Sequence, residues 1–268
     1  MHHIPATLEP LAIGADTWLV PNLLPAGPDT FVPINAMVIR GAQPAIVDCG
    51  APIHRNHWLQ QVFGLVEPDD VRWVFISHED IDHIGNLDDV IEACPNATVV
   101  TSFFYCERVA AAGPVPTQRM HWLEPGQSLD IGDRRLHAVR PPLFDNATTR
   151  GVYDDTSGVL WAADAFACPT PGPIFQFEDL PPALYDEAFF PFNSMGAPWH
   201  EWVDTHRFRA HVDALASLDL TAVASCHGPV LTGPPITDAF ERVRAMAGTP
   251  AATPPDQTLL DQLLAEAS

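Results

Sequence analysis

The segment His78-Glu79-Asp80-Ile81-Asp82-His83 sets two histidines and two aspartates of metal-ligand type into six residues, directly after an apolar run. Val71 to Ile76 reads as a buried β-strand, bounded by Asp69-Asp70 before it and Ser77 after it. Gly85-Asn86 makes a turn, and Leu87-Asp88-Asp89-Val90-Ile91-Glu92 reads as a short helix. Imidazoles and carboxylates at the mouth of a strand converge on a point outside the sheet edge, and that nitrogen and oxygen mixture suits a divalent metal. The competing interpretation is a polar strand-to-helix turn whose aspartates cap the helix. So dense a set of donors favours the metal.

The chain has 268 residues, of which 47% are apolar, including Trp 7 and Phe 14, so a substantial core is available. No stretch approaches the roughly 20 apolar residues of a membrane span, and Met1-His2-His3-Ile4-Pro5 lacks the pattern of a signal peptide. His2 and His3 read as a disordered end. The cysteines Cys49, Cys94, Cys106, Cys168 and Cys226 are odd in number and show no CxxC spacing, which reads as reduced thiols in a cytoplasmic protein. A formal charge of −21 argues against a nucleic-acid partner, because phosphate backbones need basic surface. The 28 prolines are spread through the chain and read as loop punctuation.

Thr17 to Val20, Ala36 to Arg40 and Ala45 to Asp48 read as strands, residues 53 to 66 as a helix, Ala97 to Thr101 as a strand and Phe103 to Ala112 as a helix. Leu129 to Ile131 and Arg135 to Val139 make a strand pair. Gly151-Val152-Tyr153 and Val159-Leu160-Trp161 flank Asp154-Asp155-Thr156-Ser157-Gly158 as a hairpin. Helices dominate residues 184 to 218, Thr221 to Ser225 is a short strand, and Pro235 to Ala247 is helical. Two successive rounds of strands and helices predict an α/β sandwich, two sheets face to face with helices outside. Residues 1–247 form that domain. Residues 248–268 are a Pro-containing tail whose Leu259, Leu260, Leu263 and Leu264 make one apolar helical face, expected to dock on its own domain and otherwise to serve self-association.

Two later strand ends offer more donors. Leu160-Trp161-Ala162-Ala163 leads to Asp164, and Thr221-Ala222-Val223-Ala224-Ser225 leads to His227. With these residues the chain resembles the metallo-β-lactamase fold, and within it the lactamase domain of flavodiiron proteins and the stand-alone oxygen-binding di-iron proteins. The likeness runs over roughly residues 5 to 245. It rests on Asn35-Ala36-Met37-Val38-Ile39, Ile46-Val47-Asp48-Cys49-Gly50, the hexad, Tyr153-Asp154, Leu160 to Phe166 and Ser225-Cys226-His227-Gly228-Pro229. Hydrolases of the fold usually show His-x-His-x-Asp-His, whereas the di-iron branch has an acid at the third position. Here that acid is Asp80, one methylene shorter than the usual glutamate.

The resemblance implies a four-layer αββα sandwich with a metal site at one edge of the two sheets. It assigns His78, Asp80 and a bridging Asp164 to one metal, and Asp82, His83, Asp164 and His227 to the other, with Asp82 also the catalytic candidate. The family's further histidine on the first metal falls on Asp145, since no histidine lies between His137 and His200. The expectation is that Asp145 ligates through its carboxylate, and that the added anionic donor favours iron or manganese over zinc and stabilises the oxidised state. Two metal ions per chain follow, iron favoured, with no flavin held by this chain, which has no room for a flavodoxin domain.

The function implied is binding or reduction of O₂, or NO, with electrons from a separate donor protein. A metallo-hydrolase of an ester, thioester or phosphoester, with a metal-activated water, is the alternative. A metal-binding sensor without turnover is a third. Phe189 to Met195 lies where the di-iron family often has a Tyr-Tyr-Ala-Asn segment near the metals, which predicts a more apolar pocket here. His200, His206 and His211 read as surface or packing residues, and Cys49 and Cys226 as small buried thiols, with a position near the site as the alternative.

Overall fold

The computed structural model describes residues 8–27, 29–109 and 115–266. His2 and His3 lie outside the described residues, as does the end of the helix expected to reach Ala112. The chain begins with strands β1 (Leu11–Gly14) and β2 (Thr17–Val20), a hairpin of β3 (Leu23–Gly27) and β4 (Thr30–Pro33), then β5 (Ala36–Ile39) and β6 (Ala45–Val47). Helix α1 (Arg55–Leu65) leads to β7 (Trp73–Phe75), the short helices α2 (Ile81–Ile84) and α3 (Leu87–Ala93), β8 (Thr98–Thr101), α4 (Phe103–Val109) and β9 (Met120–Trp122). The second half runs β10 (Ser128–Asp130), β11 (Arg135–Val139), β12 (Gly151–Asp154) and β13 (Val159–Trp161). Helices α5 (Pro182–Gly196) and α6 (Thr205–Ala216) follow, then β14 (Ala222–Ala224), β15 (Leu231–Thr232), α7 (Pro234–Met246) and α8 (Gln257–Glu266).

A seven-stranded sheet in the order β1-β2-β5-β6-β7-β8-β9 faces a six-stranded sheet in the order β10-β11-β12-β13-β14-β15. Side-chain alternation explains the layering. Met37, Ile39, Ala45 and Val47 point inward with Phe75 and Val100, and meet Leu136, Ala138, Val152, Trp161, Ala222 and Ala224 from the other sheet. The intervening Val38 and Ile46, with Val74 and Val99, pack outward against Trp58 and Val62 of α1, Leu87 and Val90 of α3 and Tyr105 of α4. On the far side Leu160 and Val223 cover Tyr185 and Phe189 of α5, Phe208 and Val212 of α6, and Phe240 and Val243 of α7. The architecture is therefore the four-layer αββα sandwich.

Strand direction brings the ligand-type residues to one edge. β6, β7, β8 and β9 are mutually parallel, so Asp48, Ser77 with His78, and Ser102 all leave the first sheet at the same end. β13 and β14 are parallel in the second sheet, which places Asp164 and His227 just beyond adjacent strand ends. β12 is antiparallel to β13, so the segment before β12, including Asp145, reaches that edge from the opposite direction.

The tail differs from expectation. Helix α8 forms where the leucine spacing places it, but Leu259, Leu260, Leu263 and Leu264 are largely exposed rather than buried in the core. Among the described residues no helix is long and apolar enough to cross a membrane. All five cysteines are buried and free.

Candidate metal centre

Local backbone geometry aims the hexad. The strand stops at Phe75, and Asp80 opens α2, so Asp82 and His83 sit on a single helical turn while His78 stays on the strand exit. Gly85 ends this turn against the Gly50 segment. A Cβ there would lie 2.3 Å from Pro52 Cδ and 2.7 Å from Gly50 O, so only glycine permits the close approach. Asp48 and Ala163, the residues that turn the chain beyond β6 and just before Asp164, both have left-handed backbone conformations (φ 60° and 50°). Non-glycine residues take that conformation at a cost, which the surrounding contacts must over-determine.

The seven predicted residues come together in one cluster. His78 Nε2 lies 3.6 Å from Asp80 Oδ2, 3.4 Å from Asp145 Oδ2 and 3.5 Å from Asp164 Oδ2. The other oxygen of Asp164, Oδ1, lies 3.0 Å from His83 Nε2 and 3.4 Å from His227 Nε2. Asp82 Oδ2 completes the second group, 3.3 Å from His227 Nε2 and 3.8 Å from His83 Nε2. Asp164 thus stands between two donor sets, presenting one oxygen to each, and the His78 and His83 rings are 3.9 Å apart at their centroids.

Three of the donor atoms make no hydrogen bond. His78 Nε2, His83 Nε2 and Asp164 Oδ1 are buried with no hydrogen bond, a situation that native structures avoid unless an ion or water fills the gap. The opposite ring nitrogens are satisfied. His83 Nδ1 is 2.9 Å from Asp48 Oδ2, His227 Nδ1 is 2.9 Å from Pro33 O, and His78 Nδ1 is 3.0 Å from Ser77 Oγ. Donation from Nδ1 to a carboxylate or carbonyl leaves the Nε2 lone pair free, which is how ligating imidazoles are oriented. Among the described residues, the ion-pair partners of Asp80, Asp82, Asp145 and Asp164 are histidines alone. This concentration of anionic oxygen calls for a cation that the protein side chains do not supply.

The electrostatics follow. Burial opposes ionisation of Asp164, but the adjacent His83 and His227 outweigh it and hold the carboxyl well below the usual range. Burial likewise opposes charge on His83 and His227, yet Cys226 and Asp164 overcome it and lift both. Asp145 moves the other way, pushed up by burial with Asp164 and Asp80 adding to it, while the neighbouring His78 draws Asp80 down.

Several contributors were not assigned from sequence. Asp48, fully buried, accepts from Ser77 N at 2.7 Å, Ser77 Oγ at 2.8 Å and Trp161 Nε1 at 3.0 Å as well as facing His83. Glu79 pairs with Arg108 and accepts from Thr148 Oγ1, tying the hexad to the Asp145 loop. Thr149 Oγ1 donates to Asp145 Oδ1 at 2.6 Å. Cys226 joins Asp82, His83 and His227 in a group whose ligand atoms lie within 4.8 Å of one another.

A cavity of about 370 Å³ opens on the centre, with Asp145, Asp164 and His227 as its polar floor. Leu143, Phe144, Phe192 and Met195 supply apolar walls. The segment Phe189 to Met195 therefore splits. Phe192 and Met195 reach the cavity, Phe189 is buried in the core, and Phe190 is on the surface. Asn193 latches α5 to the loop after Asp164, accepting from Ala167 N at 3.1 Å and donating to Ala167 O at 2.8 Å. His200 bonds Ser194 Oγ and Met246 O, and His211 bonds Arg140 O, all away from the centre.

Residues 32–228 match the family model described as ODP family beta lactamase, and the chain belongs to that family. It is 25% identical over 202 residues to diflavin flavoprotein A 1 of Synechocystis sp. PCC 6803, covering 74% of this chain and 34% of that protein. It is 22% identical over 200 residues to the anaerobic nitric oxide reductase flavorubredoxin of Pectobacterium atrosepticum, covering 73% of this chain and 38% of that protein. The chain thus spans about a third of the length of these curated relatives. Its fold matches the rubredoxin oxygen:oxidoreductase of Desulfovibrio gigas with a TM-score of 0.76 at 16% identity, over 88% of this chain and 61% of that one.

Proposed function

We propose that this domain holds two metal ions, iron in both positions, and binds or reduces O₂ or NO with electrons delivered by a separate donor protein. The observation that carries the reading is Asp164, whose two oxygens each face a different set of histidine and carboxylate donors. His78, Asp80 and Asp145 would hold the first ion and Asp82, His83 and His227 the second, with Asp164 shared. The donor set fits. Imidazole nitrogens and carboxylate oxygens suit ferrous and ferric ions, and the buried, unpartnered nitrogens are the ones such ions would occupy. The names of the relatives support the substrate class, one being a nitric oxide reductase and a structural neighbour an oxygen oxidoreductase.

When bound, the ion pair supplies the electron-transfer chemistry. The chain's own residues do the rest. Asp48 and Pro33 O fix the rings of His83 and His227, and Ser77 supports His78. Phe144, Phe192 and Met195 line an approach that favours a small apolar molecule over water. Asp82, partly accessible beside His227, is assigned as both ligand and catalytic residue. The free thiols support a reducing, cytoplasmic setting.

Iron analysis of anaerobically purified protein, with absorption spectra before and after admitting O₂ or NO, tests the reading. About two irons per chain and a gas-dependent spectral change are expected. Stoichiometric zinc with no change on exposure to either gas would contradict it.

A further inference from the structure

We propose that Cys226 supplies a sulfur ligand to the second metal position, a deepening that rests on the two-ion reading. The Cys226 sulfur lies with the donor atoms of Asp82, His83 and His227 in a cluster no wider than 4.8 Å, and the residue is fully buried. With Asp164 the second position then has five donors, and donors on bonds of about 2.0–2.3 Å to one ion lie within about 4.6 Å of one another, so the cluster needs only a small contraction to close on an ion. Its backbone is pinned there, because Cys226 N donates to Ala163 O at 2.8 Å and Cys226 O accepts from Asn35 N at 2.9 Å. Within that cluster His83 Nε2 is fully buried and without a hydrogen-bond partner, a donor left for a ligand. None of the other four cysteines joins a donor group among the described residues.

The assignment makes the two positions chemically unequal. The first, with His78, Asp80, Asp145 and a share of Asp164, is hard and rich in oxygen. The second gains a soft sulfur beside two imidazoles, and a coordinating thiol gives up its proton to solvent. The first position therefore favours ions that prefer oxygen, and the second accepts cobalt or zinc readily.

Cobalt(II) titration of the metal-free protein under anaerobic conditions tests this, because a cobalt–thiolate bond gives a near-ultraviolet charge-transfer band that nitrogen and oxygen ligands do not. The band is expected to grow with added cobalt in the wild type, to persist in C49S, and to be lost in C226S. Cobalt-edge X-ray absorption of the unmodified protein reads the same bond without a variant, with a sulfur scatterer at about 2.3 Å expected. Two bound cobalts without sulfur scattering, or a band that survives C226S, would overturn the Cys226 assignment while leaving the two-ion reading intact. A protein that binds no cobalt would overturn both.

Discussion

Asp48 Oδ2 lies 2.9 Å from His83 Nδ1, both side chains fully buried, although 35 residues separate them in the chain. The same carboxylate accepts two bonds from Ser77 and one from Trp161, so both its oxygens are engaged. It fixes the orientation of His83 without standing in the donor cluster. D48N puts an amide where acceptors are required. Affinity for the second ion is expected to fall about 10- to 100-fold, measured by competition with a chromophoric chelator. Unchanged affinity in a folded variant would remove Asp48 from the account.

Asp145 is expected to hold the first ion in place of the family's histidine. D145A should lower the metal count from two ions to one and leave the second position filled, whereas D145H should retain both. Elemental analysis of the two purified variants reads this directly. Full occupancy in D145A would show that Asp145 is not a ligand.

Removing the metal leaves a cluster of buried carboxylates and imidazoles facing one another. An ion present at 1,000 times its dissociation constant stabilises the fold by about 4 kcal/mol. That corresponds to a fall in Tm of roughly 10 °C on chelation, read by calorimetry with and without added iron. A Tm indifferent to metal would contradict the site.

Asn193 holds α5 against the loop that follows Asp164 through two bonds to Ala167 and one to Phe189 O. N193A leaves the buried Ala167 N–H without an acceptor, at a cost of about 1–3 kcal/mol. The expected outcome is a lower denaturation midpoint with metal content retained, and a midpoint equal to that of the wild type would refute the latch.

His54 gives a pH dependence away from the centre. Its Nε2 lies 3.0 Å from Leu23 O, and burial draws its pKa below 6.5. The unfolded chain binds the proton more readily, so stability falls as pH drops through 6.5 toward the lowered native value and is fully present above 6.5. H54Q should flatten the difference between midpoints measured at about pH 8 and about pH 5.5. An unaltered slope would remove His54 as its source.

The hexad, Asp164 and His227 were legible because each follows a short apolar strand, and strand ends on one sheet edge share a location, whereas Asp145, in the loop between β11 and β12, was reached only through the family resemblance. The sandwich was legible from the alternation of strand and helix. Asp48 was visible as part of the β6 strand exit, but its role depends on contacts with Ser77, His83 and Trp161 that no local spacing encodes. Cys226 read as a small buried thiol with a position near the site as the alternative, since sequence shows its neighbour His227 but not that the sulfur shares space with Asp82 and His83. The hairpin of β3 and β4 escaped notice because Pro25 and Pro33 interrupt the strand pattern. The leucine face of α8 was read correctly as amphipathic, yet periodicity cannot say what a helix packs against.

Crystals of protein loaded with iron, measured at the iron absorption edge, locate the ions themselves. Two anomalous peaks about 3.5–4 Å apart are expected, one on each side of the Asp164 carboxylate. A single peak, or none within bonding distance of Asp164, would contradict the two-ion reading.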